Sequence, residues 1–363
     1  MEEFSPWPLE PHSAAKHTLL KLYLDRWFPI LGKYHQSINY VDGFAGPGEY
    51  SGGEKGSPVL AIESAIEHVN RKTLPSNVRV NFVFVESNKK HATHLKQQLA
   101  KMALPQQFTI EVNDGTFCDT MNDFLDRIDS QKKSPPPTLA FVDPFGFSGI
   151  PMSLMARILK YPRCEVFINI MVEFINRFIL HPNAGVTSHL SETFGTSDVF
   201  DIPNLDGTRL EQLLSLYRRQ LRQHAKFVGR FDMHGRRDQK TYSLFFATNA
   251  SKGFEKMKEA MWAVDKTSGS LFSDAHSKAR SLFESMGFEP LWDDLQRQFS
   301  GQSVPMSELE RFVIEETDYL PTHARQILKR REETEEILVH TQPGCERRGK
   351  TFPNDKVIIK FGC

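Results

Sequence analysis

Four acidic residues of this chain occupy positions that suit the binding of a nucleoside. Each lies at or just beyond the end of one of the first four strand-like segments: Asp42, Glu86, Asp114 and Asp143. Because ligands of an open parallel sheet bind beyond the carboxyl ends of its strands, we expect these side chains to converge. Glu86 is then placed to accept hydrogen bonds from ribose hydroxyls, and Asp114, beside Gly115, is placed to hold an adenine amino group. A single strand-end acid is often only a turn former or a helix cap, but four in register favour a cofactor site.

A glycine-rich turn follows the first of these strands and supplies the second part of the predicted site. It reads Asp42-Gly43-Phe44-Ala45-Gly46-Pro47-Gly48. Glycine lets the backbone approach a ligand closely and adopt positive φ without a steric penalty. The order of the glycines is not that of a dinucleotide fingerprint, and the P-loop lysine pattern is absent. We therefore predict that Asp42 and this turn receive the charged amino-acid part of a nucleoside cofactor.

A third motif follows the fourth strand and predicts the position of the chemistry. Its sequence, Asp143-Pro144-Phe145-Gly146, resembles the Asp-Pro-Pro-aromatic motif of amino methyltransferases. In that motif the acid and a neighbouring carbonyl hold an exocyclic amine, and the aromatic ring stacks on the base. Here Phe145 replaces the second proline and Gly146 replaces the aromatic residue. We expect these four residues to form the catalytic site, with a purely structural strand-end turn as the alternative.

The elements around these motifs alternate between strand-like and helix-like patterns, which predicts a mostly parallel sheet covered by helices on both faces. The predicted strands are Ile38 to Asp42, Val80 to Glu86, Phe108 to Val112, Thr138 to Asp143 and Glu165 to Ile170. The predicted helices are Lys16 to Leu31, Pro58 to Val69, Lys90 to Met102, Cys118 to Ile128 and Met152 to Leu159. A late antiparallel hairpin, Phe227 to Met233 with Thr241 to Thr248, completes the plan of class I S-adenosylmethionine methyltransferases, which have a Rossmann-like α/β fold. The spacing alone also fits other doubly wound enzymes.

The rest of the chain predicts an insertion and a second domain. Residues 181 to 226 contain many turn residues and an arginine-rich helix, so we expect a lid within a methyltransferase-like domain of residues 1 to 300. Residues 301 to 363 predict a winged helix-turn-helix, with helices Ser307 to Glu315 and Pro321 to Arg331 and a basic loop between two strands. Basic side chains around the lid and the hairpin, and in the winged helix, are candidates for contact with nucleic acid: Arg218, Arg219, Arg222, Arg230, Arg236, Arg237, Lys240, Arg325, Lys329, Arg330, Arg331, Arg347, Arg348 and Lys350.

Composition limits the class of protein further. The 363 residues carry 45 lysines and arginines against 45 aspartates and glutamates, so any nucleic-acid binding depends on local patches. The four cysteines are far apart and form no pattern typical of a metal site, which predicts a reduced, cytoplasmic protein without a bound metal. The sequence contains no stretch of eighteen apolar residues and no secretion signal, so we expect no association with a membrane.

The quoted motifs together resemble the three-Cys-motif partner protein family over most of residues 15 to 265. The resemblance lies in Lys16-His17, Tyr40 to Gly48, Gly56-Ser57-Pro58 and Phe141 to Gly146. It implies S-adenosylmethionine as cofactor, with Ser57 among the cofactor-binding residues, and a bacterial or phage genomic setting. It also implies a partner with three cysteines that resembles radical S-adenosylmethionine iron-sulfur enzymes.

A more distant similarity links the chain to bacterial adenine-N6 ribosomal RNA methyltransferases, which also place a Lys-His helix ahead of a glycine-rich turn. By that analogy Lys16 and His17 line the mouth of the cofactor site. The leading hypothesis is methyl transfer from S-adenosylmethionine to an amine of an RNA or DNA base, with Asp143 orienting the amine. Two alternatives stay open: metal-dependent phosphodiester hydrolysis by the four acids, and a non-catalytic adaptor that binds cofactor, nucleic acid or a partner.

Overall fold

The computed structural model describes residues 7–181, 183–202, 209–235, 240–274, 288–342, 344–354 and 356–362. The chain divides into two compact units: Met1–Ala260 with Leu271–Ser277, and Met261–Ser270 with Lys278–Cys363. The domain boundary that the sequence predicts after residue 300 falls inside the second unit.

The first unit is built on an eight-stranded sheet in the order β3-β2-β1-β4-β5-β7-β6-β8. Its strands are β1 (Ser37–Asp42), β2 (Arg79–Val85), β3 (Phe108–Asn113), β4 (Thr138–Val142), β5 (Cys164–Ile170), β6 (Phe227–His234), β7 (Lys240–Thr248) and β8 (Leu271–Ser273). Strands β1 to β5 pair in parallel, whereas β7 runs antiparallel to both β5 and β6. This strand order confirms the predicted Rossmann-like methyltransferase fold with its late antiparallel hairpin.

Helices cover both faces of this sheet. They are α1 (Pro11–Tyr34), α2 (Ser57–Asn70), α3 (Lys89–Leu99), α4 (Phe117–Ser130), α5 (Met152–Leu159), α6 (Val172–Phe178), α7 (Ala184–Phe194), α8 (Arg209–Arg222) and α9 (Ser251–Val264). Strands β4 and β5 are buried along their whole length, as expected for central parallel strands with helices on both sides. Local sequence signals begin several helices, since the side chains of Asn88 and Thr116 cap α3 and α4.

The register of the parallel strands brings the predicted site residues to one level. Asp42 pairs with Phe84 of β2 and Phe141 of β4. Glu86 and Asp143 each lie two residues beyond those partners, so both emerge from the carboxyl edge of the sheet beside the turn that follows β1. The sheet itself therefore produces the convergence that the sequence predicts.

The segment predicted as an insertion or lid packs into the first unit. Helices α7 and α8, and a 3₁₀ helix at Ser197–Asp201 between them, contribute fully buried side chains to one large apolar core: Leu190, Phe194, Val199, Leu213, Leu214 and Tyr217. Helix α8 is polar on average, and its buried leucine and tyrosine side chains lie on one apolar face. Residues 182 and 203–208 of this segment lie outside the described residues.

The second unit contains a winged helix-turn-helix, as predicted. Its elements are α10 (Glu289–Phe299), β9 (Ser303–Pro305), α11 (Met306–Glu316), α12 (Pro321–Glu333), β10 (Ile337–Thr341) and β11 (Val357–Phe361). The three strands form a sheet in the order β10-β11-β9. Sequence reasoning missed α10 and β9, so the module begins with a helix that lies before residue 301.

Among the described residues, none of the helices combines the length and the apolar character that crossing a membrane requires.

Candidate active site

A cleft of about 450 Å³ opens at the carboxyl edge of the parallel strands in the first unit. The predicted site residues that line it are His17, Gly43, Phe44, Ala45, Gly46, Pro47, Gly48, Ser57, Glu86, Gly115, Asp143 and Phe145. The motifs after β1, β2, β3 and β4 therefore meet in one place. Five predicted residues do not line the cleft, namely Lys16, Asp42, Asp114, Pro144 and Gly146.

The glycine-rich turn forms the floor of the cleft, and its glycines are required by geometry. Gly46 and Gly48 have positive φ angles of 61° and 87°. A Cβ on Gly43 would lie 2.5 Å from Cδ2 of Phe117, and one on Gly48 would lie 2.8 Å from a methyl group of Leu95. Larger residues would therefore disturb the packing below the turn or strain its backbone. The result is a turn whose backbone is open to a ligand.

Glu86 is held rigidly between this turn and α3. Its Oε2 accepts a hydrogen bond from the amide of Gly46 at 2.9 Å, and its Oε1 accepts one from the amide of Asn88 at 2.7 Å. An ionised carboxylate has about four lone-pair positions, so Glu86 retains acceptor capacity toward the cleft that it lines. This arrangement leaves carboxylate lone pairs available to a hydrogen-bond donor in the cleft.

Asp42 lies directly beneath the turn and is completely buried. Burial raises the pKa of this carboxyl from 3.8 to about 7, while Ser57 and the amide of Phe44 oppose the rise and the acids Asp143 and Glu86 add to it. Its Oδ1 accepts a hydrogen bond from Phe44 at 3.2 Å. Its Oδ2 is buried and forms no hydrogen bond of normal geometry with the residues that the structure describes. A buried oxygen of this kind favours a ligand that supplies a donor or a positive charge.

Asp143 is bound on both oxygens by residues from distant parts of the chain. The ammonium group of Lys16 forms a salt bridge with Oδ2, and Asn169 Nδ2 donates to Oδ1 at 2.8 Å. Lys16 is only 6% exposed and Asn169 only 4%. Sequence reasoning placed Lys16 at the cofactor mouth; in the structure its charged group contacts Asp143, and Lys16 does not line the cleft.

His17, the neighbour of Lys16, does reach the cleft. Burial lowers the pKa of His17 to about 4, with a further lowering by the charge of Lys16 and an opposing effect from Asp143. The imidazole is therefore neutral at physiological pH. Its Nε2 lies 3.5 Å from the hydroxyl oxygen of Tyr50, and the two rings are in tilted contact. His17 thus presents a neutral ring, not a positive charge, to a ligand.

An aromatic wall stands at the mouth of the cleft. Phe145 is 82% exposed, and its ring meets that of Trp7 edge to face with 5.4 Å between centroids. Trp7 also contacts His91 of α3, again at 5.4 Å. A single exposed apolar side chain is common on a protein surface, whereas neighbouring exposed apolar side chains often mark a binding site. Here both Trp7 and Phe145 line the cleft. Trp7 and His91 were missed as site residues. Asn169 carried a sequence signal, because it is a polar residue in the apolar strand β5.

The remaining predicted residues support the site from its margins. Asp114 is exposed and does not line the cleft, whereas its neighbours Gly115 and Thr116 do. Pro144 is buried beneath the wall. Gly146 has a φ angle of 108°, and its amide lies 3.1 Å from the sulfur of Met171. The loop after β4 is therefore anchored to the residue that precedes α6.

The four acids do not form the cation site that hydrolysis by bound metal requires. Within the described part of the chain, no three His, Cys, Asp or Glu side chains come close enough together to hold a metal ion. Glu86 contacts backbone amides, and Asp143 contacts Lys16 and Asn169. The nuclease alternative therefore lacks a ligand set among these residues.

Among the basic side chains proposed for nucleic-acid contact, six of the eleven that the structure describes are engaged within the protein. Arg230 pairs with Glu211 and Asp232, and Arg218 donates to the carbonyl of Val228. In the winged helix, intramolecular ion pairs occupy four side chains: Arg325, Arg331, Arg347 and Lys350. Arg236 and Arg237, and the side chain of Lys240, lie outside the described residues.

Residues 264–344 match the family model described as a GMT-like wHTH domain. Solved structures similar to this chain include protein LPL1258 from Legionella pneumophila, with 14% identity, a TM-score of 0.38, and coverage of 69% of this chain and 90% of that one. A second is the O-methyltransferase TomG from Streptomyces achromogenes in complex with SAM, with 12% identity, a TM-score of 0.33, and coverage of 68% of this chain and 92% of that one. A third is human methyltransferase-like protein 13 in complex with SAH, with 11% identity, a TM-score of 0.34, and coverage of 78% of this chain and 99% of that one. A search of curated protein sequences gave no significant match. At these TM-scores, the fold assignment rests on the strand order and register of the chain itself.

Proposed function

We propose that this protein transfers a methyl group from S-adenosylmethionine to an acceptor bound beside Asp143. The observation that carries the proposal is the single cleft in which the glycine turn, Glu86 and Asp143 meet at the carboxyl edge of a sheet with the methyltransferase strand order. Ligands of open α/β sheets bind at this edge.

The residues of the cleft fit this cofactor part by part. Glu86, fixed by two amides with acceptor capacity to spare, suits the ribose hydroxyls. The open turn Gly43–Gly48 suits the positively charged amino-acid part, and the buried carboxyl of Asp42 beneath the turn would supply a negative charge to it. Gly115 and Thr116 line the position assigned to adenine, and a Cβ on Gly115 would meet no atom within 4 Å.

The acceptor that best suits the other half of the cleft is the amine of a planar base. When bound, the cofactor supplies an electrophilic methyl group on a sulfonium, whose sulfur keeps the bonding electron pair as the carbon-sulfur bond breaks. Asp143 orients the amine so that its lone pair forms the new carbon-nitrogen bond, and the released proton passes to solvent. Phe145 and Trp7 offer ring faces and edges to a base removed from its stack. Catalysis of this kind depends on positioning and on exclusion of water.

The first experiment measures binding of S-adenosylhomocysteine by isothermal titration calorimetry. Wild-type protein should give a 1:1 isotherm, and Glu86→Gln should weaken it at least tenfold. Glu63→Gln is the matched control, because Glu63 lies on α2 in a surface salt bridge with Lys55. Absence of binding heat from wild-type protein at several temperatures would overturn the proposal.

The second experiment identifies the class of acceptor. Tritium from the methyl group of S-adenosylmethionine should appear in nucleosides of total RNA or denatured DNA incubated with the wild-type protein, and Asp143→Ala should abolish the transfer. Cofactor binding without transfer to nucleic acid, protein or small-molecule extract would instead favour the adaptor alternative.

We also propose that the winged helix contributes to substrate binding through its remaining basic side chains. Lys329, Arg330 and Arg348 are exposed and have no ion-pair partner among the described residues. The motifs around Asp42 and Asp143 resemble those of the three-Cys-motif partner family, and on that resemblance we propose an iron-sulfur partner. Co-expression with a three-cysteine neighbour, followed by tandem purification and iron analysis, tests that partnership.

A further inference from the structure

Resting on the proposed function, we infer that Lys16 and Asn169 are positioning residues that fix the carboxylate of Asp143 for the acceptor. Neither residue lines the cleft, whereas Asp143 does. Each donates to a different oxygen, Lys16 to Oδ2 and Asn169 to Oδ1. Lys16 and Asn169 therefore bind the carboxylate of Asp143 from outside the cleft.

The two hydrogen bonds from Lys16 and Asn169 leave acceptor positions on the Asp143 carboxylate free for a substrate. An ionised carboxylate accepts about four hydrogen bonds, and two of these positions are used by Lys16 and Asn169. The side chain of Asp143 remains 20% exposed, which is enough for a ligand in the cleft to reach it. Fixing the acid from behind restricts its rotation before an acceptor arrives, which is how a preorganised site lowers the cost of orientation.

The contacts around Lys16 explain why an ammonium group is kept in such a place. Burying a charge is costly unless the charge is paired. Lys16 lies on α1, and its Nζ is in contact with Asp143 and 5.3 Å from the centre of the Tyr242 ring, within the range of a cation–π interaction. A surface lysine would serve helix α1 equally well, as Lys21 does with Asp25.

The pairing of β4 with β5 explains why Asn169 contacts Asp143. Phe141 of β4 pairs with Phe167 of β5. Asp143, just beyond the end of β4, and Asn169, within β5, each lie two residues further along the chain. Because a carboxylate only accepts hydrogen bonds, the amide of Asn169 must turn its nitrogen toward Asp143. Its own Oδ1 is then buried without a partner among the described residues. A residue selected only for packing at this position would not carry such a group.

The test compares Lys16→Met and Asn169→Leu with two matched controls. Lys21→Met changes a lysine on the same helix. Asn39→Leu removes a buried asparagine near the amino end of strand β1, away from the cleft, where it contacts Thr138 and Asn81. Calorimetry with S-adenosylhomocysteine should give dissociation constants within twofold of wild type for both test variants. Initial rates of methyl transfer to total RNA should show kcat lowered at least tenfold, with a smaller change in KM, and Lys16→Arg should recover part of kcat.

Double-mutant cycles on thermal unfolding test the interactions of Asp143 with Lys16 and Asn169 independently of activity. Asp143→Asn should lower Tm because it leaves the ammonium of Lys16 buried without an anion, and adding Lys16→Met should restore part of the loss. Likewise, Asp143→Asn and Asn169→Leu should be non-additive.

The outcomes separate this inference from the proposed function. Additive effects of the paired substitutions on Tm would overturn the inference. A tenfold loss of cofactor affinity in Lys16→Met would also overturn it and would place Lys16 at the cofactor mouth. Failure of wild-type protein to bind S-adenosylhomocysteine would overturn the proposed function, while the coupling between positions 16 and 143 would still be measured.

Discussion

The affinity for S-adenosylhomocysteine should depend on pH through Asp42. Burial raises the pKa of this carboxyl to about 7 in the ligand-free protein. If the ionised form receives the ammonium group of the ligand, affinity follows the ionised fraction of Asp42. With a pKa of about 7, that fraction falls about 25-fold between pH 7.5 and pH 5.5, which corresponds to about 1.9 kcal/mol of binding free energy.

Stability should change in the opposite sense. The folded-state pKa of Asp42 lies above its unfolded value of 3.8, so the protonated group contributes stability that is complete below pH 3.8. That contribution is lost as pH rises through about 7. Ligand-free protein should therefore lose stability across this range, and added S-adenosylhomocysteine should offset the loss at its upper end.

Calorimetry at pH 5.5, 6.5 and 7.5 measures the affinity, and titrations in buffers of different ionisation enthalpy should show release of nearly one proton at pH 6. Asp42→Asn is the control, because its affinity should be lower than that of wild type at pH 7.5 and independent of pH. The pKa of His17, lowered to about 4, keeps that neighbour neutral across the range. Equal wild-type affinity at pH 5.5 and 7.5, or an unchanged slope in Asp42→Asn, would refute the assignment.

Three further predictions concern packing and charge. Gly43→Ala puts a Cβ 2.5 Å from the Phe117 ring and should lower Tm, whereas Gly115→Ala, with open space at its Cβ, should not; differential scanning calorimetry compares them. The carboxylate of Glu165 accepts hydrogen bonds from Tyr23, Trp27 and Thr248. Glu165→Leu leaves these three buried donors unpaired and should lower the free energy of unfolding in urea by roughly 3 kcal/mol or more. Glu165→Gln should lower it less. Arg347→Ala breaks a two-bond pair with Glu332 and should lower the Tm of the second unit without changing nucleic-acid affinity in filter binding; Lys329→Ala should do the reverse.

Local patterns in the sequence predicted most of the elements that build the site. The five parallel strands, the hairpin and the strands of the wing are within one or two residues of their predicted bounds, because each is a short apolar run bounded by turn residues. The glycine turn and Glu86 were predictable for the same reason: residues at the ends of neighbouring parallel strands must meet. Helix α6 was missed because seven residues are too few for a clear helical period, and α7 because its segment is rich in glycine, serine and threonine.

The sequence by itself determined the sheet, its glycine turn and the acids at its edge, since these follow from local periodicity and from the rules of parallel strands. Only the tertiary structure decided what the acids contact. Lys16 meets Asp143 across 127 positions of the chain, and Trp7 reaches Phe145 across the mouth of the cleft. Such pairs depend on where α1 and the segment before it pack against the sheet, and no local pattern encodes that position.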